Sequence, residues 1–253
     1  MKRFFLIILA SFILLGCAVK QGAIILGDEK AHVFHWNGSE ILLPPPEWAA
    51  SSQYIDPRLK KYINTMTPPG GAQCVYWGQD PAHVEKGPDG SYSFRLAIGL
   101  CLPAPEGSAR KVFSQIQTQY RNEWDEYLKK HPDVFKEIEK DVSEALRKYI
   151  LTSIELETGK PAMLGMIIDQ PNAVSNLMKM PINLSIQGRN HPVDCLLSTT
   201  SILVNENILT VYVQSTSNEK ISDAEWVIAK TREWVDQILK ANGEKGLEPQ
   251  ENC

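Results

Sequence analysis

Residues 222–242 pose the problem that the rest of the chain must solve. Val227, Ile228, Thr231, Trp234, Val235, Ile238 and Leu239 recur at helical spacing and fall on one face. Ser222 and Glu225 fit a capping box, Ile221 and Trp226 occupy the two positions of a hydrophobic staple, and Asn242-Gly243 stops the helix. A helix with one such face needs an apolar surface to lie on. The residues just before it supply one: Val193–Val204 and Ile208–Gln214 read as strands joined by the tight turn Asn205-Glu206-Asn207.

The same reading extends toward the N-terminus. Asn37-Gly38 is the dipeptide that best tolerates a two-residue type I′ turn, and it joins strands over Ala31–Trp36 and Ser39–Leu43. Pro44-Pro45-Pro46 then removes three backbone donors and ends the pairing. Ala23–Leu26 reads as a short strand and Asp56-Pro57 opens a short helix. Cys74–Trp77 and Tyr92–Leu102 read as strands around Gly87-Pro88-Asp89-Gly90.

Ser108 caps a helix with Val112, Phe113, Ile116, Tyr120, Trp124, Tyr127 and Leu128 on one side. A second helix starts at Pro132, carries Val134, Phe135, Ile138, Val142, Leu146 and Ile150, and fades after Ile154. Strands follow at Ala162–Ile168 and Ile182–Gln187, while Pro171–Pro181 reads as helix or loop. The sum is an α+β fold: a mostly antiparallel sheet flanked by helices, with a helical hairpin in mid-chain. One domain is expected over 31–242, after a tether at 17–30 and before a flexible polar tail at 243–253.

The first residues do not belong to that fold. Lys2 and Arg3 precede an apolar run from Phe4 to Leu15, too short for the roughly 20 residues that span a bilayer. This is the layout of a signal peptide, residues 1–16. Leu14-Leu15-Gly16-Cys17 resembles the lipobox of bacterial lipoproteins. The resemblance implies that Cys17 becomes the first mature residue and carries a diacylglyceryl thioether, usually with an added acyl chain such as palmitate. Two or more chains hold a protein stably on a membrane. An ordinary signal peptide cut elsewhere and an uncleaved anchor are the alternatives. Ala18, rather than Asp, after the cysteine favours the outer over the inner membrane where that sorting rule operates.

Lys and Arg number 26 against 30 Asp and Glu, and without Lys2 and Arg3 the balance is 24 against 30, or −6. Such a body excludes a dedicated nucleic-acid binder, which needs a concentrated basic face. It also leaves lipid, not charge, to hold the protein at an anionic surface. Export permits disulfides. Cys74 and Cys101 flank the Gly87–Gly90 turn and are the candidate pair; closing that loop is worth about 3–4 kcal/mol in the chain-entropy model. Cys195 and Cys253 need not pair.

Motifs for chemistry are missing. No G-x-S-x-G, HExxH, paired CxxC or P-loop occurs. His32 and His35 are three apart in a strand and so face opposite ways, His131 and His191 precede prolines, and His83 stands alone. No catalytic residue, cofactor or metal centre is assigned. Met163, Met166, Met178 and Met180 crowd one region. Thioethers are soft ligands for Cu(I), but they are also adaptable core fillers. On a regular strand Met163 and Met166 would face opposite ways, whereas Met178 and Met180 could share a face. Trp36, Trp48 and Trp77 sit at strand ends, where they anchor loops.

Two stretches together, the opening hairpin running into a proline and tryptophan ("HVFHW…ILLPPPEW") and the late strand running into a tryptophan-bearing helix ("ILTVYVQSTSNEKISDAEWVIAKTREWVDQIL"), resemble the PsbP-like fold. That fold is shared by an extrinsic photosystem II protein and a Ran-binding nuclear import factor. The resemblance implies an antiparallel sheet between helices and a function in binding, with no site residue transferred. The leading expectation is a lipid-anchored, periplasm-facing envelope protein that binds or assembles with another envelope protein. An envelope hydrolase with an unrecognised site, and a small-molecule or copper carrier using the Met-rich region, are the alternatives.

Overall fold

The structure is a computed structural model, which describes residues 23–26, 30–36, 38–50, 73–79, 95–102, 108–122, 154–186, 189–217 and 221–248. In chain order the strands are β1 Ala23–Leu26, β2 His32–Trp36, β3 Ser39–Leu43, β4 Ala49–Ala50, β5 Gln73–Gln79 and β6 Arg95–Leu102. Helix α1, Ala109–Asn122, comes next. It is followed by β7 Ile154–Thr158, β8 Ala162–Gln170, β9 Ala173–Ile186, β10 Arg189–Val204, β11 Asn207–Ser217 and helix α2, Ile221–Ala241.

Among the described residues, nine strands form one sheet in the order β1-β5-β6-β11-β10-β9-β7, with β4 also on β5 and β8 also on β9. Only the β1–β5 pairing among them is parallel. The fold is therefore α+β with a mostly antiparallel sheet.

Helix α2 lies on one face of this sheet. Its stripe of Val227, Trp234, Val235, Ile238 and Leu239 is buried against Leu196, Ile202 and Val204 of β10 and Leu209, Val211 and Val213 of β11. Burying a side chain of this size contributes about 1.5–3 kcal/mol. Thr231 is the polar member of the stripe, and its hydroxyl is satisfied by Ser198 of β10. The β2–β3 hairpin packs on the same face through Phe34, Ile41 and Leu43. Two side chains, one on α2 and one just past its end, hold it there. The Trp234 indole donates to the Pro44 carbonyl at 2.8 Å. Asn242, just beyond the helix, accepts from Leu42 N–H at 2.8 Å and donates to Leu42 C=O at 2.7 Å, as a neighbouring strand would.

Helix α1 covers part of the opposite face through Ala109, Phe113 and Ile116, packed on Val174, Leu203 and Ile208. Its far end is tied to β8 by Arg121, whose guanidinium pairs with Asp169. Burial pushes the Tyr120 phenol above its ordinary pKa, partly offset by the nearby Ser201 hydroxyl.

Several expectations are corrected. Pro171–Pro181 is neither helix nor loop. Asn172 sits in a turn and 173–181 belongs to β9, because Val174, Leu177, Met178 and Met180 each bury on one or other face of an interior strand. Ile154–Thr158, expected at the fading end of a helix, is strand β7 paired with β9. Strands β9 and β10 run to 14 and 16 residues, longer than the segments read from sequence, since each is paired on both sides. The tail does not leave the domain at Gly243: Leu247 packs against the core and its N–H donates to Asp236 at 2.9 Å. The second helix of the expected mid-chain hairpin lies outside the described residues.

Candidate functional site

The turns at one end of the sheet converge on a cleft of about 310 Å³. Its walls come from Pro171-Asn172 between β8 and β9, Asn205-Glu206 between β10 and β11, Arg110 at the start of α1, and the 244–248 segment. Asn205 and Glu206 have φ of 48° and 57°, the left-handed pair of a type I′ hairpin turn. That geometry holds the Glu206 side chain at the rim, where Arg110 Nε donates to its carboxylate at 2.8 Å.

The C-terminal wall is pinned by its backbone. Gln170 and Glu248 bond reciprocally, with Glu248 N–H donating to Gln170 Oε1 at 3.2 Å. Arg232 donates to the Glu248 carbonyl at 3.1 Å and to the Ile167 carbonyl at 3.0 Å. Asn172 donates to the Lys245 carbonyl at 3.3 Å. Lys245 also donates to the Glu248 carboxylate at 2.8 Å, and that bond holds Glu248 below its ordinary pKa. Two carboxylates of the cleft are thus paired with cations, and none of its lining residues is a histidine, serine, threonine or cysteine. The lining offers amide, carboxylate and cationic groups, with Glu244 as a third carboxylate beside the two that are paired. Sequence reading missed this cleft because its walls come from four separated segments.

Cys17, Cys253, His83 and His131 lie outside the described residues. Cys74 and Cys101 sit on the adjacent strands β5 and β6, where Cys74 stands opposite Leu100 and Cys101 opposite Gln73. Cys195 is a free thiol with no exposed surface. Burial first, and the nearby Asp194 charge, push its pKa well above the ordinary value, while a hydrogen bond with Gln214 acts in the other direction. A neutral, enclosed thiol is a poor nucleophile. Native protein treated with N-ethylmaleimide is expected to leave Cys195 unmodified by peptide mass spectrometry, and denatured protein to label it fully; native labelling would refute the burial.

His32 is half-buried with its ring edge-on to Phe34, and exposed His35 faces Glu40 at 3.5 Å. Neither reaches the cleft lining. Trp77 is fully buried and meets Trp234 edge-on at 5.7 Å. Trp226 packs edge-on to Trp48 at 5.0 Å and beneath the Arg95 guanidinium at 4.1 Å, partners that no local pattern announces.

Met163 and Met166 correct the sequence reading. A bulge at Leu164 inserts an extra residue, so Met163 stands opposite Met178 and Met166 opposite Asn176. Both therefore share a face with Met178 and Met180, on the side of the sheet where α1 lies. Met178 and Met180 are 2 % and 1 % exposed, and Met166 is 40 % exposed.

No family model and no curated protein matches the chain. Among solved structures it is similar to the Saccharomyces cerevisiae Ran-binding protein Mog1p, at 10% identity over 85% of this chain and 94% of that one, with a TM-score of 0.31. A point mutant of Mog1 gives 13% identity over 85% and 93% of the chains, with a TM-score of 0.32. A Pseudomonas aeruginosa protein of unknown function, described as a putative regulator, gives 8% identity over 88% and 99%, with a TM-score of 0.25.

Proposed function

We propose that this protein is a lipid-anchored module of the bacterial cell envelope that works by binding or assembling with another envelope protein. The observation that carries the reading is the leader ending in Leu14-Leu15-Gly16-Cys17. Strand β1 begins at Ala23, so the stretch from an acylated Cys17 spans at most about 20 Å. A lipid there keeps one edge of the sheet close to the bilayer. An acidic body needs such an anchor, because charge alone would not hold it to anionic lipid. Among the described residues, no helix is long and apolar enough to cross a membrane. The charge-paired cleft supports recognition rather than bond breaking.

Cells fed labelled palmitate are expected to yield labelled protein from the natural chain and none from Cys17→Ser, which leaves the membrane fraction. An unlabelled, detergent-independent natural protein would overturn the anchor. Crosslinking in intact cells tests the binding role. Recovery of no envelope partner, together with turnover on a panel of ester, amide and glycoside substrates, would replace it with catalysis.

A further inference from the structure

The sulfur-bearing residues of β8, β9 and β10 occupy neighbouring register positions on one face of the sheet. Cys195 stands opposite Met180, and Met178 stands opposite Met163. Directly opposed side chains in an antiparallel pair have Cβ atoms roughly 5 Å apart, within reach of long thioethers. Met178 and Met180 are two residues apart on β9 and share a face. Cys195 lies on that face too, because its neighbours on β10 alternate consistently: Ser198 meets Thr231 of α2, whereas Leu203 packs under α1. The bulge at Leu164 recruits Met163, and Met166 beyond it, to the same side.

We propose that Met163, Met178, Met180 and Cys195 form a binding site for a soft monovalent metal ion, Cu(I). Three thioethers and one thiol suit Cu(I), which prefers sulfur over oxygen donors. An array of this kind in a core usually serves packing. Two features go beyond packing. The row grades from exposed Met166 through half-buried Met163 to enclosed Met178, Met180 and Cys195, which gives an ion a relay of like donors from solvent inward. The row also owes its single-sidedness to the bulge, which brings Met163 and Met166 onto the face of Met178 and Met180 and so, with Cys195, assembles sulfur donors on three adjacent strands. On binding, the Cys195 S–H bond breaks, its proton passes to solvent and the S–Cu bond forms; copper stays in the +1 state throughout. The site does not depend on the lipid-anchor reading.

The test uses the full-length chain in detergent, with Cys17→Ser, Cys74→Ser, Cys101→Ser and Cys253→Ser leaving Cys195 as the remaining thiol, titrated with Cu(I)–bicinchoninate under ascorbate without oxygen. The expected result is transfer of one Cu(I) per chain, with sulfur-only coordination in the copper absorption edge. Met178→Leu/Met180→Leu and Cys195→Ala should abolish that stoichiometry. Met163→Leu, at a half-buried position that tolerates leucine, should weaken binding by about tenfold or more, since even losing a group that only orients a ligand costs that much. It keeps the proposal falsifiable if the core variants fail to fold. No transfer from bicinchoninate, or transfer undiminished by Met163→Leu, would overturn it.

Discussion

Trp234→Ala is expected to lower the unfolding free energy by about 3–5 kcal/mol, read as a shift in the urea midpoint. Trp234 is 1 % exposed. Its ring meets Trp77 edge-on and its N–H is the donor to Pro44 C=O. Alanine removes the largest buried surface of α2, leaves a cavity against β5 and strands a part-buried carbonyl in the chain leaving the β2–β3 hairpin. Phenylalanine separates these terms. It refills much of the volume but cannot donate, so Trp234→Phe should recover most of the loss and leave about 1–3 kcal/mol for the orphaned acceptor. A Phe variant as unstable as the Ala variant would mean that the hydrogen bond outweighs the packing.

Gly99→Ala should destabilise by about 1–3 kcal/mol, although alanine suits an extended backbone better than glycine does. Gly99 lies on the α2 face of β6, opposite Val211, and a Cβ there would run into the Leu43 side chain. Leu43 is fully buried beneath the hairpin and has no room to move aside. The strain should therefore vanish when the leucine is shortened: Leu43→Ala alone and Leu43→Ala/Gly99→Ala should unfold at nearly the same urea concentration. Additive losses in that double-mutant cycle would refute the steric account.

What could be read from sequence followed the local signals. The β2–β3 hairpin declared itself through Asn37-Gly38, the β10–β11 hairpin through Asn205-Glu206-Asn207, and α2 through its capping residues and apolar stripe. These are short-range preferences with a fixed period; the structure keeps both hairpins and the apolar stripe, while α2 begins at Ile221, one residue ahead of the expected cap Ser222. Strand β9 was hidden because prolines at 171 and 181 bracket a run buried on both faces, which has no alternation to detect. Pro181 is tolerated there because the partner chain bends at Gly159-Lys160-Pro161, with Gly159 N–H donating to the Pro181 carbonyl at 2.7 Å. The methionine array was misassigned because a bulge resets strand parity, and nothing in Met163-Leu164-Gly165-Met166 fixes where the extra residue falls. Gly165, at φ 149°, is the trace it leaves. The cleft is non-local by construction and has no one-dimensional signature.

Strands β7 and β8 run end to end along β9 as one border of the sheet, broken at Gly159–Pro161 and bulged again at Leu164 and Ile167. A straight border carrying Leu164 and Met166 in the open would be a template on which copies could stack edge to edge. Three interruptions within one border scramble the spacing of its backbone N–H and C=O groups, and side chains already take the Ile167 and Gln170 carbonyls, so a second strand cannot match the border for more than a few residues. Irregularity here limits edge-to-edge pairing, and deleting Leu164, which removes one of the three interruptions, is expected to raise concentration-dependent aggregation measured by light scattering.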